Sequence, residues 1–158
     1  MRVWVDASVP IALDSIGETG LVHEILGHVH ITPEVQREVF NGRESRALRE
    51  ALGDWIEVHK VEGALKRWQS LGLDRGEASL FLTPQTDRLV LDEVAARTVA
   101  ESEGRDYIGL LGLLVAAARS ERIPAGRVRE VVRRLARSGF RMSTDLFAQA
   151  LETLEALG

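Results

Sequence analysis

The chain predicts an α/β fold, a three-layer α/β/α sandwich on a central parallel sheet, with residues 1–158 forming one domain. Three observations predict it. Short apolar or β-branched runs recur at Val3-Trp4-Val5, Val29-His30-Ile31, Trp55-Ile56-Glu57-Val58 and Leu89-Val90-Leu91. A helical pattern follows each run, so the strands pair in parallel and helices cover both faces of the sheet. No internal repeat, low-complexity tract or flexible linker interrupts the alternation, and 158 residues suffice to bury a real core.

Composition narrows the function classes. A chain 45% hydrophobic and 28% charged is neither disordered nor membrane-spanning in character. Cysteine is absent, which removes disulfides, thiolate metal sites and cysteine nucleophiles. The opening MRVWVDASVP lacks the charged-then-apolar layout of a signal peptide. The longest apolar run, Tyr107 to Ala118, falls well short of the roughly 20 residues that a bilayer requires. The expected setting is cytoplasmic. A net charge of −4 argues against indiscriminate nucleic-acid binding. Arg127 to Arg141 is the exception, with six arginines (Arg127, Arg129, Arg133, Arg134, Arg137, Arg141) against one glutamate. Such a stretch is either a solvated helix face or a surface that tracks phosphates.

In order, a first strand at Arg2–Val5 ends at Asp6, and Ser8 caps a helix from Val9 to Ile16. A helix Glu18–Leu26 and a strand His28–Ile31 follow. Thr32-Pro33 then gives a cap with proline at the first helical position, opening a helix that carries Glu38. Helices at Arg43–Leu52 and Val61–Leu71 bracket the strand Trp55–Val58. Asp74-x-x-Glu77 has capping-box spacing ahead of another helix. The strand Leu89–Asp92 leads into a helix from Glu93 to Glu103. Tyr107-Ile108 is the last strand, and helices Gly109–Ser120, Gly126–Ser138 and Thr144–Leu157 complete the chain.

Four carboxylates occupy strand ends or early helical turns: Asp6, Glu38, Glu77 and Asp92. Strand C-termini of an open parallel sheet share one edge, and ligands bind there. Mg²⁺ and Mn²⁺ prefer such oxygen ligands. Two ions about 4 Å apart can stabilise both oxygens of an in-line phosphoryl displacement. The plainer reading is that Asp74 and Glu77 only cap a helix and that Glu38 is solvated.

The pieces VWVDASVPIAL, TPEVQREV, LDRGEA, LVLDEVAAR, GLLGLLVAA and GFRMSTDLF together resemble the PIN domains, specifically the VapC-like group that carries a domain formerly of unknown function. They span nearly the whole chain. The resemblance implies a Mg²⁺- or Mn²⁺-dependent ribonuclease acting on RNA, often the toxin of a toxin–antitoxin pair, with a cognate antitoxin and a homodimeric state. By position it assigns Asp6, Glu38, Glu77 and Asp92 as catalytic metal ligands, with Ser8 beside the first acid. Relatives often carry Asp-Asp where this chain has Asp92-Glu93, so the longer Glu93 stands around the site as either a ligand or a water contact. Arg97, one turn on, either forms a salt bridge or meets a site carboxylate or a phosphate. Leu146, Phe147 and Leu151 are candidate dimer contacts.

Other features point elsewhere. His23, His28, His30 and His59 show no metal spacing on a helix face and are read as non-ligands. Trp4, Trp55 and Trp68 are read as core, and Gly109 and Gly112 as close-packing positions. No phosphate-loop pattern is present. The competing functions are a catalytically weak PIN-like module that binds a partner or RNA passively, and a phosphotransferase or phosphatase. The latter chemistry wants a second aspartate two residues after the first, where this chain has Ser8.

Overall fold

The computed structural model describes residues 1–158. The elements are β1 (Val3–Val5), α1 (Ser8–Ser15), α2 (Leu21–Leu26), β2 (Val29–Ile31), α3 (Pro33–Phe40), α4 (Arg46–Ala51), β3 (Ile56–Val58), α5 (Leu65–Gln69) and α6 (Arg75–Leu80). They continue with β4 (Arg88–Val90), α7 (Val94–Ser102), β5 (Tyr107–Ile108), α8 (Leu110–Arg119), α9 (Ala125–Arg137) and α10 (Thr144–Leu157). The five strands form one all-parallel sheet in the order β3-β2-β1-β4-β5, flanked by helices as an α/β/α sandwich. From central β1 the chain winds outward through β2 and β3, then returns to build β4 and β5 on the other side. The topological switch point therefore lies between β1 and β4, where such sheets bind ligands.

Register follows from the two-residue period of extended chain. Trp4 stands opposite His30 and Leu89, His30 opposite Glu57, and Leu89 opposite Tyr107, so these five side chains share one face. Val5, Ile31, Val58, Val90 and Ile108 share the other. Thirty-nine buried residues form one core cluster, which includes all three tryptophans, as expected. α8 is the apolar run read from the sequence, and it packs with α9 and α10. α9 buries Val128, Val131, Val132 and Leu135 at helical spacing. Each such side chain is worth roughly 1.5–3 kcal/mol.

Several boundaries depart from expectation. Ser8 is not the cap of α1; Ala7 precedes that helix and makes no side-chain cap. α4 begins at Arg46 rather than Arg43 because Ser45 accepts a hydrogen bond from the Leu48 N–H. α5 is much shorter than Val61–Leu71. Gly63 has φ +140° and a Cβ there would meet Leu82 at 2.7 Å, so the chain is not helical at that point. α2 loses its first residues to a turn in which the Leu21 N–H bonds to the Glu18 carbonyl. Phe147 and Leu151 are half-buried against the core, whereas Leu146 is exposed.

Candidate active site

The ends of β1 and β4 bring the first two acids together. The Asp6 N–H donates to the Val90 carbonyl at 3.1 Å, extending the ladder one residue past β1. Asp6 is 3% exposed, and its carboxylate accepts from the Ser8 N–H (2.9 Å), the Ser8 hydroxyl and the Asp92 N–H (3.3 Å). Ser8 thus serves the acid rather than the helix. Burial pushes the Asp6 carboxyl up to about 6; the Ser8 hydroxyl opposes that rise and the nearby Asp92 charge adds to it. Asp92 accepts from the Leu110 N–H at 3.0 Å through Oδ1, while its Oδ2 is buried without a partner. Its pKa is also raised by burial, against the lowering effect of the Leu110 bond and the Arg97 charge. A Cβ at Gly109 would lie 3.3 Å from Asp92 Oδ1, so this glycine keeps space for the site as well as starting α8.

The other two acids are positioned by a helix pair. The Thr32 hydroxyl caps α3 by accepting from the Val35 N–H, and it shares a buried hydrogen bond of 2.7 Å with the Ser79 hydroxyl. That bond ties the start of α3 to α6. Glu38 consequently lies against Gly76, where a Cβ would stand 2.5 Å from Glu38 Oε1. Any side chain at position 76 would displace the carboxylate. The Asp74–Glu77 capping box forms: the Glu77 N–H donates to Asp74 Oδ1 (2.8 Å), and the Asp74 N–H donates to Glu77 Oε1 (3.0 Å). Glu77 Oε2 is buried without a partner. Burial pushes Glu77 up to about 7, with the charges of Asp74, Asp6 and Glu93 adding to the shift. Glu38 is raised by burial first and by Asp74 second.

These acids line one cleft of about 1360 Å³ at the switch point, together with Ser8, Glu93, Arg97 and Arg141. Its apolar wall includes Ile11, Leu111, Phe140, Met142 and Leu146. All four candidate ligands converge here. Asp74 brings the acids of the lining to six; its cap motif was legible in the sequence, its proximity to Glu38 was not. Glu93 is exposed and caps nothing. Arg97 forms no ion pair, and its charge lowers Asp92 instead.

The arginines of α9 are largely engaged. Arg127 pairs with Glu24 (2.7 Å) and Glu18 (3.2 Å), and Arg134 bonds to the Ile16 carbonyl and approaches Glu18. Arg133 faces Glu155, Arg137 faces Glu130, and Arg129 reaches the Leu154 carbonyl. Only Arg141 of the six lines the cleft.

The histidines show one grouping that helical spacing did not anticipate. His30, Glu57 and His59 are the one set of three or more histidine, aspartate or glutamate side chains whose ligand atoms all lie within 4.8 Å of one another. Helical spacing could not reveal them, because adjacent parallel strands bring them together.

A doubly wound sheet with carboxylates gathered at its switch point, two of them carrying buried unpartnered oxygens, forms an acidic site whose chemistry suits hard divalent cations. A family model described as DUF3368, a PIN domain, matches residues 2–156, and the chain belongs to that family. PIN domains are generally nucleases and typically use divalent metals. No curated protein and no solved structure gives a match.

Proposed function

We propose that this protein is a Mg²⁺- or Mn²⁺-dependent endoribonuclease. The observation that carries the reading is the pair of buried carboxylate oxygens, Glu77 Oε2 and Asp92 Oδ2, which have no hydrogen-bond partner while the other oxygen of each carboxylate is anchored by a backbone N–H. Leaving a buried acceptor unpaired costs about 1–3 kcal/mol, which a cation would offset. Asp6, Glu38, Glu77 and Asp92 would hold the metal, which supplies charge stabilisation at the scissile phosphate and acidifies a water nucleophile.

The chain's own residues do the rest. Ser8 and the Asp92 N–H fix the Asp6 carboxylate. The Asp74 N–H fixes Glu77 Oε1, which leaves Oε2 free to face the metal. Arg97 and Arg141, on the cleft wall, are suited to meet the phosphates of an RNA strand. The more exposed Arg133 and Arg137 would extend that contact outward, while Arg127, Arg129 and Arg134 chiefly hold α9 to its neighbours. A toxin role with a cognate antitoxin rests on the resemblance to the VapC-like group. Exposed Val94 and Leu146 beside the cleft are apolar surface that a partner or second copy could cover.

The test is cleavage of end-labelled single-stranded RNA by the wild type and Asp92→Asn with Mg²⁺, Mn²⁺ or EDTA. Metal-dependent cleavage lost in the variant is expected. Cleavage that survives EDTA, or is equal in both proteins, would overturn the reading. Binding of RNA without cleavage would favour the passive module.

A further inference from the structure

We propose that His30, Glu57 and His59 form a second cation site, selective for a borderline transition ion of the Zn²⁺ type and separate from the acidic cleft. None of the three lines that cleft, so the inference does not depend on the nuclease reading.

The placement follows from strand register. His30 stands opposite Glu57 across β2 and β3. The His59 N–H donates to the Ile31 carbonyl at 3.0 Å, so parallel pairing continues one residue beyond β3. Glu57 and His59, two apart on extended chain, therefore share the face that carries His30. The potential ligand atoms all lie within 4.8 Å of one another, and His30 Nδ1 is 4.0 Å from Glu57 Oε2. The two imidazole centroids are 5.0 Å apart. Nitrogen and oxygen ligands bind Zn²⁺ at about 2.0–2.2 Å, which sets them roughly 3–4 Å from each other. Side-chain rotation, chiefly of the half-exposed Glu57, is enough to close the difference.

Two further observations point to an ion. His30 Nδ1 and His59 Nε2 are both buried and both lack a hydrogen-bond partner. Native interiors rarely leave such atoms unsatisfied, and an electron-pair acceptor bound by both rings would satisfy them. The rings are also held in place. Trp4 packs 5.6 Å from His30 and 6.0 Å from His59, and its own indole N–H is fixed by Asp87 Oδ2 at 2.9 Å. Burial lowers the His30 pKa, with Glu57 opposing and His59 and Arg2 adding to the effect. His28 Nδ1, 3.3 Å from Glu57 Oε2, orients the carboxylate from the solvent side. Two imidazoles and one carboxylate suit Zn²⁺, Co²⁺, Ni²⁺ or Fe²⁺, whereas Mg²⁺ prefers an all-oxygen shell. Three protein ligands leave a further position open on the exposed Glu57 side.

The test is titration of the EDTA-stripped full chain with Co²⁺, read by its visible d–d absorption, and with Zn²⁺, read by competition with a chromophoric chelator and by thermal shift. The Asp6→Asn, Asp92→Asn double variant, whose cleft is disabled, should bind one ion with a Co²⁺ spectrum and a rise in Tm, and the wild type should show that same spectrum beneath any further ion taken up by the cleft. His59→Gln and Glu57→Gln should bind at least roughly 10- to 100-fold more weakly, the cost typical of losing even an outer-shell partner. Circular dichroism of each variant establishes that it folds, and Glu57→Gln, at a half-exposed position, supplies a folded control if His59→Gln fails. Unchanged binding in folded His59→Gln and Glu57→Gln, loss in the acid variant, or no spectrum in the wild type would each overturn the proposal.

Discussion

The acidic cleft and the histidine cluster lie on one small sheet and solve the problem of buried ionisable groups in opposite ways. In the cleft, burial and mutual repulsion push carboxyls up, Asp6 to about 6 and Glu77 to about 7. In the cluster, burial pushes His30 down. Desolvation disfavours the charged form in both, so the acids keep their protons to higher pH than usual and the histidine loses its proton at lower pH than usual. The cleft is wide and oxygen-lined, and no three of its carboxylates meet within 4.8 Å. The cluster is tight and nitrogen-rich. Room for an ion, its waters and a polyanion belongs to the first; a compact shell for one borderline ion belongs to the second.

The largest expected effect that would break this contrast is chemical. Asp92→Asn should lower RNA cleavage roughly 10³-fold, the several kcal/mol that a metal clamp contributes, while leaving Co²⁺ binding at the histidines intact. Gly76→Ala comes next. Its Cβ displaces Glu38 rather than any backbone, so single-turnover cleavage should fall about 10- to 100-fold, as for other disturbances of ligand orientation, with a small change in Tm.

A third test concerns stability. In metal-free protein, folded Glu77 retains a proton that the unfolded chain releases above its ordinary pKa of 4.5. The resulting stability is fully present below pH 4.5 and is lost as pH rises through about 7. Glu77→Gln preserves the capping box and removes the loss. Its metal-free Tm should exceed the wild type by roughly 2–4 °C at pH 8, about 1 kcal/mol for a chain of this size, and match it near pH 5. A scanning-calorimetry series across pH decides this. The smallest effect is Asp74→Asn, which keeps a good N-cap but removes a charge that raises Glu38 and Glu77. The acid limb of the cleavage profile should shift to lower pH; an unmoved limb would remove Asp74 from the electrostatics of the site.

Local chemistry made much of the molecule legible. Val3-Trp4-Val5 and Leu89-Val90 read as strands, Thr32-Pro33 and Asp74-x-x-Glu77 read as helix starts, and all four appear as such. The same logic failed at Ser8, because a hydroxyl two residues from a buried carboxylate bonds to that carboxylate before it caps a helix. It was incomplete at α9. Charge counting along the helix could not see Glu18 and Glu24, more than a hundred residues away, folding back onto Arg127.

What the sequence by itself determined is therefore what neighbouring residues decide: strand and helix positions, the caps, and four acids at strand ends or in helical turns. Tertiary structure decided what depends on packing between elements. It set Glu38 against Gly76 through the Thr32–Ser79 bond, and it left one oxygen each of Glu77 and Asp92 unpartnered. It also joined His30 to Glu57 and His59 across parallel strands. Parallel pairing requires a crossover connection, so sequence spacing carries no trace of which side chains will meet.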